Sequence, residues 1–192
     1  AGAVDYIVKP FDPILLRSKV ADLVELFQKT GEIQRQTEAL WREREGRARG
    51  TASGMAAVNA SLFSFLKAGD HVVSARALFG SCRYIVEDLL PRFGVATTLI
   101  DGRDLSAWEA AMRPNTRAVF CETPTNPVLE LVDIEAVAKI AHRAGALVVV
   151  DNVFATPMLQ RPIPLGVDIV VYSATKHIDG QGRCLGGVVL GT

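Results

Sequence analysis

The sequence predicts an α/β fold: a mostly parallel β-sheet with helices on both faces. Three observations carry this expectation. Several short β-branched runs are apolar throughout instead of alternating, as strands covered on both sides are. Helical stretches long enough to cross a sheet separate these runs. Some runs end on a polar residue, and in open parallel sheets ligands bind beyond the carboxyl ends of the strands.

The pattern does not begin at the N-terminus. From Asp12 to about Arg47 the chain reads as a charged helix in which Leu15, Leu16, Val20, Leu23, Val24 and Phe27 recur at helical spacing. Its later part, GEIQRQTEALWREREGRARG, loses most of that apolar face and reads as a solvated helix or linker. The texture changes near residue 48. Strands are expected at HVVSA (71–75), ATTLI (96–100), AVFCE (118–122), ALVVVD (146–151), DIVVYS (168–173) and GGVVLG (186–191). Between them, helices are expected over Met55 to Leu66, Cys82 to Phe93, Leu105 to Met112 and Ile134 to Arg143. The chain therefore divides into residues 1–47 and an α/β domain over 48–192.

Composition excludes several classes of function. Lys plus Arg and Asp plus Glu both total 21, so no overall charge recruits nucleic acid or an anionic membrane. Cys82, Cys121 and Cys184 are odd in number and lack a CxxC pair, which argues against a disulfide framework or a structural zinc site. The start, AGAVDYIVKPFDP, is not a signal peptide, and the apolar runs are too short to span a bilayer. A soluble, cytoplasmic protein is expected.

Four local features suit a phosphorylated aldehyde cofactor. In TASGMAA, Ser53 and Gly54 stand at the mouth of a predicted helix, where free N–H groups and the helix dipole favour an anion. An SG pair in this place is more often an ordinary N-cap and turn. Asp151 closes the strand ALVVVD, where a carboxylate can keep a pyridine nitrogen protonated; strand-end aspartates also commonly cap loops. In SATKH, Lys176 follows a strand end and can be desolvated enough to attack an aldehyde, with Ser173 and Thr175 offering hydroxyls to a phosphate. Phe79, in ALFGSC, can lay its ring over a cofactor, although a loop phenylalanine more often plugs a core.

Taken together, TASGMAA, ALFGSC, ETPTNP, VDNVFATP and YSATKHIDGQGR, in this order and spacing, resemble the cysteine and methionine metabolism family of pyridoxal-phosphate (PLP) enzymes. The resemblance covers about residues 50 to 192. It implies part of an aspartate-aminotransferase-like (fold type I) large domain, with pyridoxal 5′-phosphate as cofactor. Lys176 matches the Schiff-base lysine, Asp151 the partner of the pyridine nitrogen and Phe79 the ring-stacking aromatic. Gly54 and Met55 match backbone phosphate binders, Ser173 and Thr175 side-chain phosphate ligands, and Asn126 a site asparagine. LFGSC and TKHIDGQGR are most similar to the sulfhydrylase branch. The implied reaction is γ-replacement on an O-acylhomoserine, with sulfide or cysteine as the sulfur donor and a cystathionine γ-synthase or γ-lyase reaction as the alternative. A homotetramer with shared sites is also implied.

Two departures accompany this resemblance. Residues 1 to 30 are instead similar to the end of a response-regulator receiver domain, with Lys9 and Pro10 at its lysine and proline, so a signalling or interaction fragment is the competing reading. The family's N-terminal segment, which supplies a tyrosine and an arginine to a neighbouring subunit's phosphate site, has no match here. Nor has the C-terminal domain with the arginine that holds the substrate carboxylate. The chain is expected to be a truncated form.

Overall fold

In the computed structural model the residues described are 47–191. The receiver-like segment, the charged helix and the signalling reading built on them fall outside those residues. β1 (Arg47–Thr51) leads into α1 (Gly54–Phe63), β2 (His71–Ala75) and α2 (Gly80–Tyr84). That helix continues through a π-helical stretch (Ile85–Leu89) into α3 (Leu90–Arg92). There follow β3 (Ala96–Ile100), α4 (Leu105–Ala111), β4 (Thr116–Glu122), α5 (Ile134–Arg143) and β5 (Leu147–Asp151). The described chain ends with α6 (Thr156–Leu159), β6 (Ile169–Ser173), a π-helical turn (Ala174–Ile178) and β7 (Gly187–Gly191).

The strands form one seven-stranded sheet in the order β1-β7-β6-β5-β4-β2-β3. Strands β2 to β6 run parallel, whereas β7 is antiparallel to both β6 and β1. The expected strands are all present, shifted at their ends by at most two residues. Sequence reading missed β1. Its residues RARGT carry no apolar alternation, and Ala48, Arg49 and Gly50 are exposed, so pairing with β7 alone places them in the sheet.

Two hydrophobic layers sandwich the sheet, and neighbouring strand residues alternate between them. Val73, Val119, Val148 and Val150 face α4 and α5, against Trp108, Val137 and Ala141. Val72, Phe120, Val149 and Val171 face the other way, against Ala57, Val58 and Leu62 of α1 and Ile85, Val86 and Leu90 beyond α2. Helices therefore cover both faces. The α5 helix is capped by Asp133, whose side chain accepts from Ala136 N–H at 3.0 Å. The predicted helix over Met55 to Leu66 is shorter, ending at Phe63.

Strand order matters for function. From β2 the chain crosses outward to β3, whereas from β4 it crosses in the opposite direction to β5. The loops leaving β2 and β4 therefore diverge, and a crevice opens at their carboxyl ends.

Candidate cofactor site

A pocket of about 650 Å³ occupies this edge of the sheet, and all nine residues singled out by sequence line it: Ser53, Gly54, Met55, Phe79, Asn126, Asp151, Ser173, Thr175 and Lys176. Residues from five separate segments thus converge on one place.

One wall is the start of α1. Ser53 caps the helix, its Oγ accepting from Ala56 N–H at 3.1 Å, so the hydroxyl has the ordinary capping job. The N–H groups of Gly54 and Met55, as first-turn donors, have no acceptor within the helix. Gly54 is dictated by packing: a Cβ there would lie 2.6 Å from Ser173 Cβ and 2.9 Å from Ser173 Oγ. The helix mouth and the end of β6 approach this closely only because residue 54 has no side chain. Gly187 answers the same need from β7, where a Cβ would collide with Ser53 O. Beside them, Thr175 Oγ1 accepts from Gly186 N–H at 3.1 Å, while Ser173 Oγ has no hydrogen-bond partner among the described residues.

The opposite end of the pocket is acidic and buried. Asp151, 7% exposed at the end of β5, accepts from Val153 N–H at 3.0 Å on Oδ1 and from the Cys82 thiol at 3.7 Å on Oδ2. No Lys, Arg or His among the described residues forms an ion pair with it. Burial pushes its pKa up to about 6. Glu122 lies beside it, the two being register partners on adjacent strands. Burial, and then the charge of Asp151, push Glu122 up to about 7. Burial of Cys82 and its two acidic neighbours push that thiol far above the ordinary range, so it is a hydrogen-bond donor here.

Phe79 is 44% exposed, so its ring faces the pocket mouth and does not plug the core. Lys176 differs from expectation. The residue is exposed at the pocket rim and not enclosed by this chain. The backbone at Lys176 is instead the irregular point, at φ −92° and ψ −113° within an otherwise helical turn. Sequence reading missed Glu122, Cys82 and Tyr172, which also line the pocket. Glu122 ends the run AVFCE and was open to the same strand-end argument that selected Asp151.

A family model for Cys/Met metabolism PLP-dependent enzymes matches residues 31–192. The chain belongs to that family. It is 64% identical over 141 residues to O-succinylhomoserine sulfhydrylase of Mycobacterium tuberculosis, covering 73% of this chain and 35% of that protein. Identity to L-methionine gamma-lyase of Fusobacterium nucleatum is 49%, over 72% of this chain and 35% of the relative. Among solved structures, cystathionine gamma-lyase from Lactobacillus plantarum, complexed with L-serine, superposes with a TM-score of 0.73 at 42% identity, covering 76% of this chain and 38% of that one. The chain thus spans about a third of the length of the relatives it matches.

The pocket fits the family's cofactor on its own geometry. PLP carries a phosphate dianion and a protonatable pyridine nitrogen. Two N–H groups and a hydroxyl without partners among the described residues, and a glycine-enforced close approach, suit the first; a buried carboxylate with no cationic partner among those residues suits the second. No group of three or more His, Cys, Asp or Glu among the described residues is placed to hold a metal ion. No helix among them is long and apolar enough to cross a membrane.

Gly54→Ala tests the phosphate end. The new methyl must push α1 from Ser173, and PLP affinity is expected to fall about tenfold, the cost of loosening one charge-assisted contact. Equilibrium titration checks this, and unchanged affinity would place the phosphate elsewhere.

Proposed function

We propose that this chain carries the cofactor-binding part of a PLP-dependent transferase that performs γ-replacement on an O-acylhomoserine, converting O-succinylhomoserine and sulfide to homocysteine and succinate in methionine biosynthesis. The observation that carries the reading is the convergence of Lys176, Asp151 and the Gly54–Ser173 cradle on one pocket. The 64% identity to an O-succinylhomoserine sulfhydrylase supports the choice of reaction.

Within this reading each side chain has a task. When bound, PLP supplies an electron sink that acidifies the carbons of an attached amino acid. Asp151 keeps the pyridine nitrogen protonated. Gly54 and Met55 N–H, with Ser173 and Thr175 hydroxyls, hold the phosphate, and Ser53 orders the turn that presents those N–H groups. Phe79 covers the ring, and Asn126 contacts the site from the loop after β4. Lys176 would hold the cofactor through its aldehyde and, with its amine free, would take and return protons at the substrate α and β carbons. The protein is further proposed to be cytoplasmic and to work as a homo-oligomer of the tetrameric family type, with residues 1–47 forming a segment separate from the α/β domain.

A second reading, cystathionine γ-synthase or γ-lyase chemistry, is supported by the likeness to cystathionine gamma-lyase at 42% identity. The products formed by the complete enzyme separate these: homocysteine from O-succinylhomoserine and sulfide, cystathionine from O-succinylhomoserine and cysteine, or cysteine, 2-oxobutanoate and ammonia from cystathionine and water. The cofactor site is tested on the chain itself. PLP is added, the bond is reduced with borohydride, and the modified peptide is mapped. Label on Lys176 is expected; folded chain with Lys176 unlabelled overturns the reading.

A further inference from the structure

Glu122 is buried, 4% exposed, and has no side-chain cation bonded to it among the described residues. Its two oxygens are spent on two different loops. Oε2 accepts from Phe79 N–H at 2.5 Å, and Oε1 accepts from Asn126 N–H at 3.0 Å. Phe79 belongs to the loop after β2 and Asn126 to the loop after β4, the two connections that diverge at the crevice. One carboxylate that accepts from an amide of each loop therefore bridges the crevice at its base.

Both loops can transmit that restraint. The one after β4 is hydrogen-bonded internally: Thr123 Oγ1 accepts from Val132 N–H at 3.0 Å, Thr125 Oγ1 from Glu130 N–H at 2.9 Å, and Thr125 O from Leu129 N–H at 2.8 Å. On the other side, Phe79 O accepts from Arg83 N–H at 2.9 Å, so the residue that Glu122 holds also starts α2. The next residues of that helix bring Cys82 to Asp151. Glutamate presents one oxygen to each amide, whereas glutamine would present a single acceptor oxygen and an NH2 group.

We propose that Glu122 is a positioning residue for the cofactor: by bonding the Phe79 and Asn126 amides at once, it fixes the ring-covering aromatic and the site asparagine relative to Asp151. This rests on the cofactor reading above, in which Phe79 covers the pyridine ring. Glu122 also lines the pocket beside Asp151, and the role assigned to it is to hold those two amides in place.

The test uses the full chain and the variants Glu122→Gln, Glu122→Asp, Phe79→Ala and Glu122→Gln/Phe79→Ala. Amide hydrogen exchange, measured without PLP, reads the tie directly. In Glu122→Gln the Phe79 and Asn126 amides are expected to exchange about tenfold faster, the scale of one lost hydrogen bond, while the Val73 amide in β2 is unchanged. Unchanged exchange at Phe79 and Asn126 overturns the proposal whatever the cofactor does.

PLP titration and the visible circular dichroism of the bound chromophore then read the consequence. Glu122→Gln is expected to weaken binding about tenfold and diminish the dichroic band, with a smaller loss once Phe79 is already alanine. Losses that multiply in full show that Glu122 does not act through Phe79, and overturn the positioning role. Glu122→Asp keeps the charge one methylene short of both amides and is expected to behave like Glu122→Gln; full retention of affinity and band also overturns it. If the parent chain shows no label on Lys176, the cofactor reading fails, and with it the positioning role, even where the exchange result stands.

Discussion

Asp151→Asn is expected to lower PLP affinity by at least about a hundredfold at neutral pH, while leaving the chain folded. The carboxylate is 7% exposed, and its neighbours are a backbone N–H, a thiol and a second acid, none of them cationic. A pyridinium nitrogen is the missing positive partner. Removing one side of a buried ion pair costs about 3–5 kcal/mol, which is a factor of a hundred or more in a binding constant. Asparagine retains the shape and can still accept from Val153 N–H, so strand β5 has no reason to move. The expected effect on stability therefore has the opposite sign. Without PLP the variant no longer buries an unpaired acid and should unfold at an equal or higher temperature. Titration and thermal unfolding of the two chains check both halves, and unchanged affinity would remove Asp151 from the proposed site.

Asp151 and Glu122 show how far the sequence was legible. Both end apolar runs, and the rule that polar strand ends face the ligand crevice applies to each. Asp151 was found with it, as ALVVVD stops abruptly on the acid. Glu122 is less distinct, because it both ends AVFCE and opens the polar stretch ETPTNP. Its partner Phe79 is 43 residues distant, so no local pattern announces the bond. The central strands were legible because they are apolar on both faces, as Val148 and Val149 illustrate by entering opposite layers. At the sheet's edge that signal vanishes, and β1 was lost with it. The π-helical stretch Ile85–Leu89 was equally hidden, because its residues keep the burial pattern of an α-helix. At Lys176 the residue is legible but not its setting: a strand end allows desolvation, whereas the turn leaves Lys176 exposed.

The two acids also set an expected pH dependence. Burial raises Asp151 from 3.8 to about 6 and Glu122 from 4.5 to about 7, so between those limits the folded chain holds protons that the unfolded chain has released. Stability from this pair is therefore fully present below about pH 4 and falls as pH rises through 6 and 7. Shifts of this size correspond to roughly 3 kcal/mol for each group at 1.36 kcal/mol per pH unit. His71 works in the opposite direction, since burial lowers it and the unfolded chain binds its proton more readily. The difference between parent and variant isolates the acids. Urea unfolding without PLP is expected to give a lower midpoint at pH 8 than at pH 5, and Glu122→Gln should remove about two-thirds of the acids' share of that drop. Adding PLP at pH 8 should recover stability, because its pyridinium pairs with the ionised Asp151. A parent and a Glu122→Gln chain with the same pH dependence would mean that Glu122 ionises as freely in the folded chain as in the unfolded one, and that the pocket does not hold its acids against water.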